Sequence, residues 1–460
     1  MIGNLLGPEL KSYIEARNFT ALREVLCEFA APDIAEILAD LNAADQALLL
    51  RILPRQIAAD VFEYLSFEAQ EELVQALGQD DLINILNEMA PDDRTALLEE
   101  LPAPIVTKLL KLLAPKERAV AQTLLNYPTD SVGRLMTPDF IAIRDDWSVQ
   151  QVLDHIRQHG QDSETLNVLY VVDDKGFLID DIRIREILLR PVTALVRDFR
   201  DDQFIALKAT DVQEEVVPLF RKYDRTMLPV VDAQGVLLGV VTVDDVLDLA
   251  ERETTEEFQR LGGMETLDAP YLKSNLLSMI KKRATWLSVL FLGETLTASA
   301  MSYFEGEIEK AVVLSLFIPL IISSGGNSGS QATSLIIRSM ATRDVTLRDW
   351  WRVFLRELVA GLALGLVLAA VGTARILIWQ KLGWKDYGSH YGLIMATVAC
   401  SLVGVVLFGS MVGAMLPFLM RRVGLDPAVV SAPFVATLVD VTGLVIYFSF
   451  AWLFLHGTML

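Results

Sequence analysis

The 460-residue chain is predicted to be a multidomain membrane protein, on three observations: a division of charge, two tandem α/β repeats, and five long apolar runs at the C-terminal end. The expected architecture is an α-helical superhelix, an α/β pair, an acidic connecting helix and a five-helix transmembrane domain. From Ser274 onward there are 14 Lys/Arg and 10 Asp/Glu. Against totals of 40 and 60, residues 1–273 therefore hold 26 basic and 50 acidic side chains, a net of −24. A segment that acidic repels nucleic acid and anionic lipid and attracts cations. Cys27 and Cys400 are too few and too far apart for a metal cluster or a disulfide scaffold. The histidines at 155, 159, 390 and 456 form no ligand pattern, although His155 and His159 lie one turn apart. The opening residues lack the pattern of a secretory leader, so the N-terminal half is expected in the cytosol.

Residues 1–130 carry helix-start signals near Pro32, Asn42, Pro54, Phe67, Asp80, Pro91, Pro104 and Pro115. Apolar residues recur between them at helical spacing, as in Ile34-Ile37-Leu38-Leu41, and Pro fits a first helical turn where its missing N–H costs nothing. A solenoid-like stack of short helices follows. In 131–250 the period changes. Val168-Leu169-Tyr170-Val171-Val172-Asp173-Asp174-Lys175-Gly176 is a buried strand ending in a turn, and Leu228-Pro229-Val230-Val231-Asp232-Ala233-Gln234-Gly235 repeats it. Two such units, 131–196 and 197–250, resemble a pair of cystathionine-β-synthase-type (CBS) domains. The resemblance implies adenine-nucleotide binding, ATP being the candidate ligand, at Thr242 and Asp245 of the Gly-x-x-Thr-x-x-Asp piece and at Tyr170. The first copy departs from the motif: Phe177 to Arg183 lacks the Gly and the Thr-x-x-Asp spacing.

Residues 244–272 read as an acidic helix, in which Asp245, Asp248 and Glu256 fall near one face. Like charges at that spacing repel unless a cation or partner offsets them; a plain solvated helix is the other reading. The transmembrane domain, 273–460, holds apolar runs at 285–304, 311–337, 354–379, 391–420 and 428–455, each long enough to cross ~30 Å of hydrocarbon. Lys281-Lys282-Arg283, the arginines at 338, 343, 348, 352 and 356, and Arg421-Arg422 mark the cytosolic side, placing the C-terminus outside.

Asp440 lies inside the last run, where a bare carboxylate costs at least ~2.5–3.5 kcal/mol. Pro433, Thr437, Thr442 and Gly443 surround it. The string reads as a pore wall, or as a protonated Asp bonded to a neighbouring helix. In the second run, Ser323-Ser324-Gly325-Gly326-Asn327-Ser328-Gly329-Ser330-Gln331 is costly on a lipid face. It fits either a helix opened to line a polar path or a seam of small residues where helices pack. Backbone and hydroxyl oxygens around one carboxylate are hard-cation chemistry, which suits Mg²⁺, Mn²⁺ or Ca²⁺.

Gly-Gly-Asn-x-Gly-x-Gln at 325–331 and Asp-Pro-Ala…Pro-x-Val-Ala-Thr-x-x-Asp-Val-Thr-Gly at 426–443, behind a helical domain and a CBS pair, closely resemble the MgtE family of magnesium channels over the whole chain. The resemblance implies a homodimer in the bacterial inner membrane that carries Mg²⁺. Asp440 would be its selectivity acid, with Ala436, Gly443, Thr437, Asn327 and Pro433 lining the path. It further implies a plug helix under the pore, closed by cytosolic Mg²⁺ on Glu214, Asp224, Asp245, Asp248, Glu253, Glu256 and Glu257, with Asp426, Asp92 and Asp93 as partners. Two departures stand out. Ala432 precedes Pro433 where an Asn is expected, and Glu294 occupies the first run where a small or apolar residue is expected. Glu294 reads as a neutral hydrogen-bonded acid, or as a second ion site or titratable gate. The competing functions are a Na⁺- or H⁺-coupled divalent-cation transporter and a membrane-anchored Mg²⁺ sensor. No nucleophile–base pair, Walker loop or cofactor motif supports an enzyme.

Overall fold

The structure, a computed structural model, describes residues 12–14, 16–267, 271, 274–427 and 432–458. The start of the last apolar run, 428–431, and parts of the expected segment 244–272 lie outside the described residues. The chain divides into two compact units, 1–252 and 253–460.

The first unit opens with short helices at Phe19–Leu26, Ala31–Ala39, Ala43–Ile52, Arg55–Glu63, Phe67–Ala76, Gln79–Glu88, Pro91–Glu100, Ala103–Leu112 and Pro115–Leu125. From the second onward, each starts within about one residue of its sequence signal, because the signals are local chemistry. The Asn42 side chain accepts the Asp45 N–H at 3.0 Å, and Pro91 and Pro115 occupy first turns. Helices this short are marginal alone. They persist by burying one stripe each, including Ile34, Leu38, Leu50, Phe62, Leu73, Leu86 and Leu98, into a continuous core. Arg94 is wholly buried there; it donates to the Leu86 carbonyl at 3.0 Å and pairs with Glu117 at 2.7 Å, which tethers successive turns of the stack.

Two three-stranded sheets follow. β1 (Ala142–Arg144) runs parallel to β2 (Val168–Val172), which pairs antiparallel with β3 (Leu178–Arg183). β4 (Leu207–Lys208), β5 (Met227–Val231) and β6 (Leu237–Thr242) repeat the order and the directions. The sequence repeat explains the structural one. Asp173 Oδ1 accepts the N–H groups of Lys175 and Phe177, and Asp232 Oδ1 those of Gln234 and Val236. Each Asp thereby closes a hairpin whose glycine, Gly176 or Gly235, takes a positive φ. The hairpins also bond each other: Leu178 N–H reaches the Gly235 carbonyl at 3.1 Å, and Leu237 N–H the Gly176 carbonyl at 3.0 Å. A connecting helix (Val243–Leu261) leaves directly from β6.

Among the described residues, the second unit has five long helices: the first at Leu276–Tyr303, then Ile318–Ala341, Trp350–Lys381, Tyr391–Arg422 and the last at Ala432–Leu455. Among the described residues, four stretches that include the last four helices are long and apolar enough to cross a membrane. The first has the length, but Glu294 and its Ser/Thr content leave it more polar than sequence reading anticipated. Ser288 donates to the Ala284 carbonyl and Ser299 to that of Thr295, so the helix satisfies these two hydroxyls itself.

Gly325 and Gly329 of the second long helix meet Gly409 and Gly413 of the fourth. A Cβ on Gly409 would strike the Gly325 carbonyl oxygen, and one on Gly413 that of Gly329. The Ser328 and Ser410 hydroxyls bond at 2.6 Å, and Thr333 Oγ1 lies 2.9 Å from both the Gly329 and Gly413 carbonyls. The second helix is continuous through this string. The expected opening is absent, since close backbone approach uses the glycines.

Candidate ion path and acidic interface

Pro433 is the second residue of the last helix, Ala432–Leu455, which runs on unbroken through it. Thr437 and Thr442 donate back to the Pro433 and Leu438 carbonyls at 3.1 and 2.8 Å. Asp440 is thus the sole charged residue of this helix, half-buried, with its helix's hydroxyls engaged elsewhere. Across from it the glycine string presents its other side. A Cβ on Gly326 would stand 3.5 Å from that of Ala436 and 3.9 Å from Asp440 Oδ1. Asn327 is exposed, its amide 3.5 Å from Ser323 Oγ, and Ser330 Oγ donates to the Ala432 carbonyl at 3.2 Å. Gly325 and Gly329 thus pack against both the fourth and the last helix, while Gly326 and Ser330 meet the last helix near Asp440 and at Ala432. Gly443 is buried against Val405 of the fourth helix. Glu294 of the first long helix hydrogen-bonds the Asp440 side chain.

The carboxyls expected to form one regulatory set are distributed over separate places. Asp92, Asp93 and Asp245 come together in the first unit, where helix Pro91–Glu100 faces the start of the connecting helix. Asp92 is buried and its Oδ1 has no hydrogen-bond partner. Thr242 Oγ1 donates to Asp245 Oδ2 at 2.7 Å. Burial, and then neighbouring Asp244 and Asp248, push Asp93 up to about 6. Burial, together with Asp93, Asp244 and Glu164, holds Asp245 up at about 7 against the lowering bond from Thr242. Glu63 belongs to the same group. It accepts the Ala90 N–H at 2.8 Å, and burial followed by Asp93 raises it to about 8. Sequence reading missed Glu63 and Glu164, because nothing local marks residues that meet only when the helical stack closes on the α/β pair. Asp248 is raised by burial and by Glu251 and Asp244. Glu214, in a turn at Gln213–Glu215, and Asp224, with φ of 49° after helix Val216–Tyr223, are exposed and are not among the charges that raise Asp93 or Asp245. Among the described residues no three carboxylates, imidazoles or thiols form a ready-made metal cage.

The remaining acids lie in the second unit. Arg260 reaches Glu256 at 2.9 Å and Asp426 at 2.8 Å, so Asp426 meets the connecting helix, as expected of it, through a guanidinium. The Glu256–Arg260 spacing of four is the signal that anticipates the first of these contacts. Glu257 lies 3.9 Å from Arg338, Glu253 is partly buried, and the Lys282 ammonium donates to the Thr266 carbonyl.

The residues expected to meet a nucleotide are enclosed. Tyr170 is fully buried, near the Asp181–Arg225 pair (3.2 Å), and Thr242 is bonded to Asp245. A cavity of about 130 Å³ is lined by Asp180, Asp181, Arg183 and Glu186 of the first copy and by Arg225 of the second. That is small beside the roughly 300–1,000 Å³ of ordinary ligand pockets.

Comparison with known proteins agrees with this layout. A divalent cation transporter model, MgtE, matches residues 318–450, the MgtE intracellular N domain matches 30–130, and the CBS domain matches 132–191 and 196–252. The chain is 39% identical to the magnesium transporter MgtE of Thermus thermophilus, over 98% of this chain and 99% of that protein. It is 29% identical to the magnesium transporter MgtE of Bacillus subtilis, over 92% and 94%. Among solved structures, the cytosolic domain of the Mg²⁺ channel MgtE in complex with ATP matches with a TM-score of 0.50 at 36% identity, covering 52% of this chain and 98% of that one. The soluble part of a magnesium transporter matches at 0.52 and 25% identity, covering 55% and 99%. With its four strongly apolar helices, its paired α/β units and its helical N-terminal stack, the chain belongs to the MgtE family of divalent cation transporters.

Proposed function

We propose that the protein conducts Mg²⁺ across a bacterial inner membrane as a homodimer and is closed by cytosolic Mg²⁺. The observation that carries the ion path is Asp440, alone in its helix and facing the Gly326 backbone. Mg²⁺ keeps its waters, so one carboxylate among backbone and hydroxyl oxygens suits a hydrated ion better than a dry cage would. Two chains about a two-fold would pair their Asp440 residues. The acids at 63, 92, 93, 164, 244, 245 and 248 supply the sensor. The unpaired Asp92 oxygen and the upward-shifted Asp93, Asp245 and Glu63 carboxyls are strained without a cation, and Mg²⁺ binding there favours the docked arrangement. Positive loops put both cytosolic domains inside and the C-terminus outside.

The cytosolic domain of a similar protein, the Mg²⁺ channel MgtE, is solved in complex with ATP. In this chain ATP would compete with the Thr242–Asp245 bond and the neighbouring acids, so Mg²⁺–ATP is the form expected to bind. Coupled transport is the second reading, favoured by Glu294 beside Asp440. The test is Mg²⁺ influx into proteoliposomes carrying a fluorescent Mg²⁺ indicator. Flux lost in Asp440→Ala supports the path, flux retained moves it elsewhere, and flux steepened by a Na⁺ or H⁺ counter-gradient favours coupling.

A further inference from the structure

The first long helix is the least apolar of the five, and its residue Glu294 has a specific counterpart. Between Arg283 and Glu305, Glu294 is the only charged residue of that helix, as Asp440 is of the last. The two helices touch where a Cβ on Gly293 would come within 2.7 Å of Thr437 Cγ2, so a glycine is required for the approach. That contact delivers the next side chain, Glu294, into a hydrogen bond with Asp440. Two isolated acids, one per helix, are thus placed on each other.

We propose that Glu294 is a positioning residue for Asp440, fixing the orientation of the carboxylate that discriminates the hydrated cation. The inference rests on Asp440 lying in the ion path. A hydrated Mg²⁺ presents a rigid octahedron of waters, and acceptors read that shape only when they are held within a few tenths of an ångström. Asp440 has no such restraint from its own helix, whose nearby hydroxyls donate to backbone carbonyls. Ionised carboxylates only accept, so a hydrogen bond between two such groups needs a donor proton. A glutamine at 294 would also donate, through its N–H, and a methionine would not.

The experiment measures Mg²⁺ flux in proteoliposomes against Mg²⁺ concentration, with Ca²⁺ as competitor, for wild type, Glu294→Gln and Glu294→Met. Outer-shell partners of a metal site are worth ~10–100-fold in affinity, so Glu294→Met is expected to raise the half-saturating Mg²⁺ concentration at least tenfold and to sharpen Ca²⁺ competition. Its maximal flux should change far less. Glu294→Gln should stay near wild type on both measures. A methionine variant with wild-type affinity and selectivity overturns the proposal. So does a glutamine variant as impaired as the methionine one, since the requirement would then be for charge and not for the bond. If Asp440→Ala conducts like wild type, the ion-path reading fails first, whatever the 294 variants do. Loss of monodispersity in the methionine variant is met by Glu294→Leu, read on the same two measures.

Discussion

Asp440 costs several kcal/mol to hold among apolar side chains, a cost that the proposed function accounts for by placing it on the ion path. Substitution of Asp440 by Ala is expected to abolish Mg²⁺ flux while leaving the folded protein intact, because it removes a buried polar group without creating a clash. Stopped-flow indicator fluorescence and size-exclusion elution of the same preparation check both halves. Gly409 offers the opposite case. Alanine there must displace the Gly325 carbonyl, a backbone atom that cannot rotate away. Gly409→Ala should lower stability by about 1–3 kcal/mol, the usual range for overpacking, seen as earlier thermal unfolding in detergent. An unchanged transition would mean the two helices are less tightly crossed than their glycines imply.

At the scale of elements, the end of the connecting helix is tied to its own unit by Arg260, which holds Glu256 and Asp426 together. Each contact is partly exposed and worth little singly, ~0.2–1 kcal/mol, yet a guanidinium needs no free Mg²⁺ to act. Arg260→Ala should therefore raise the Mg²⁺ concentration needed to stop flux, and should make the 253–267 segment more sensitive to protease at intermediate Mg²⁺. Identical closure curves for the variant and wild type would leave the arginine without a part in gating. The charge-reversed Asp426→Arg should behave like the alanine variant or worse.

For the whole molecule, the governing quantity is the net −24 of residues 1–273 and the part of it concentrated between the helical stack and the α/β pair. Glu63, Asp93 and Asp245 are raised to about 8, 6 and 7, so the folded state holds protons that the unfolded chain has already lost. Stability then falls as pH rises through that window. Calorimetry of the full chain at low Mg²⁺ should show the transition moving down between about pH 6 and pH 8, by roughly 2–4 °C for each kcal/mol lost. Saturating Mg²⁺ should flatten the dependence and release protons on binding. A pH-independent transition would show that these carboxyls are ionised without penalty.

Much of this was legible in the chain alone. Helix starts followed from Pro and Asn at first turns, the twin sheets from the repeated Val-Val-Asp-x-x-Gly, and the membrane segments from runs of hydrocarbon, since each depends on residues within a few positions of one another. Asp440 announced itself by its solvent. What only the tertiary structure decided is which separated residues meet: Glu294 with Asp440, Glu63 with Asp93, Gly325 with Gly409, and Arg260 with Asp426. Such pairings depend on helix crossing and on the closing of the stack, which no local pattern encodes.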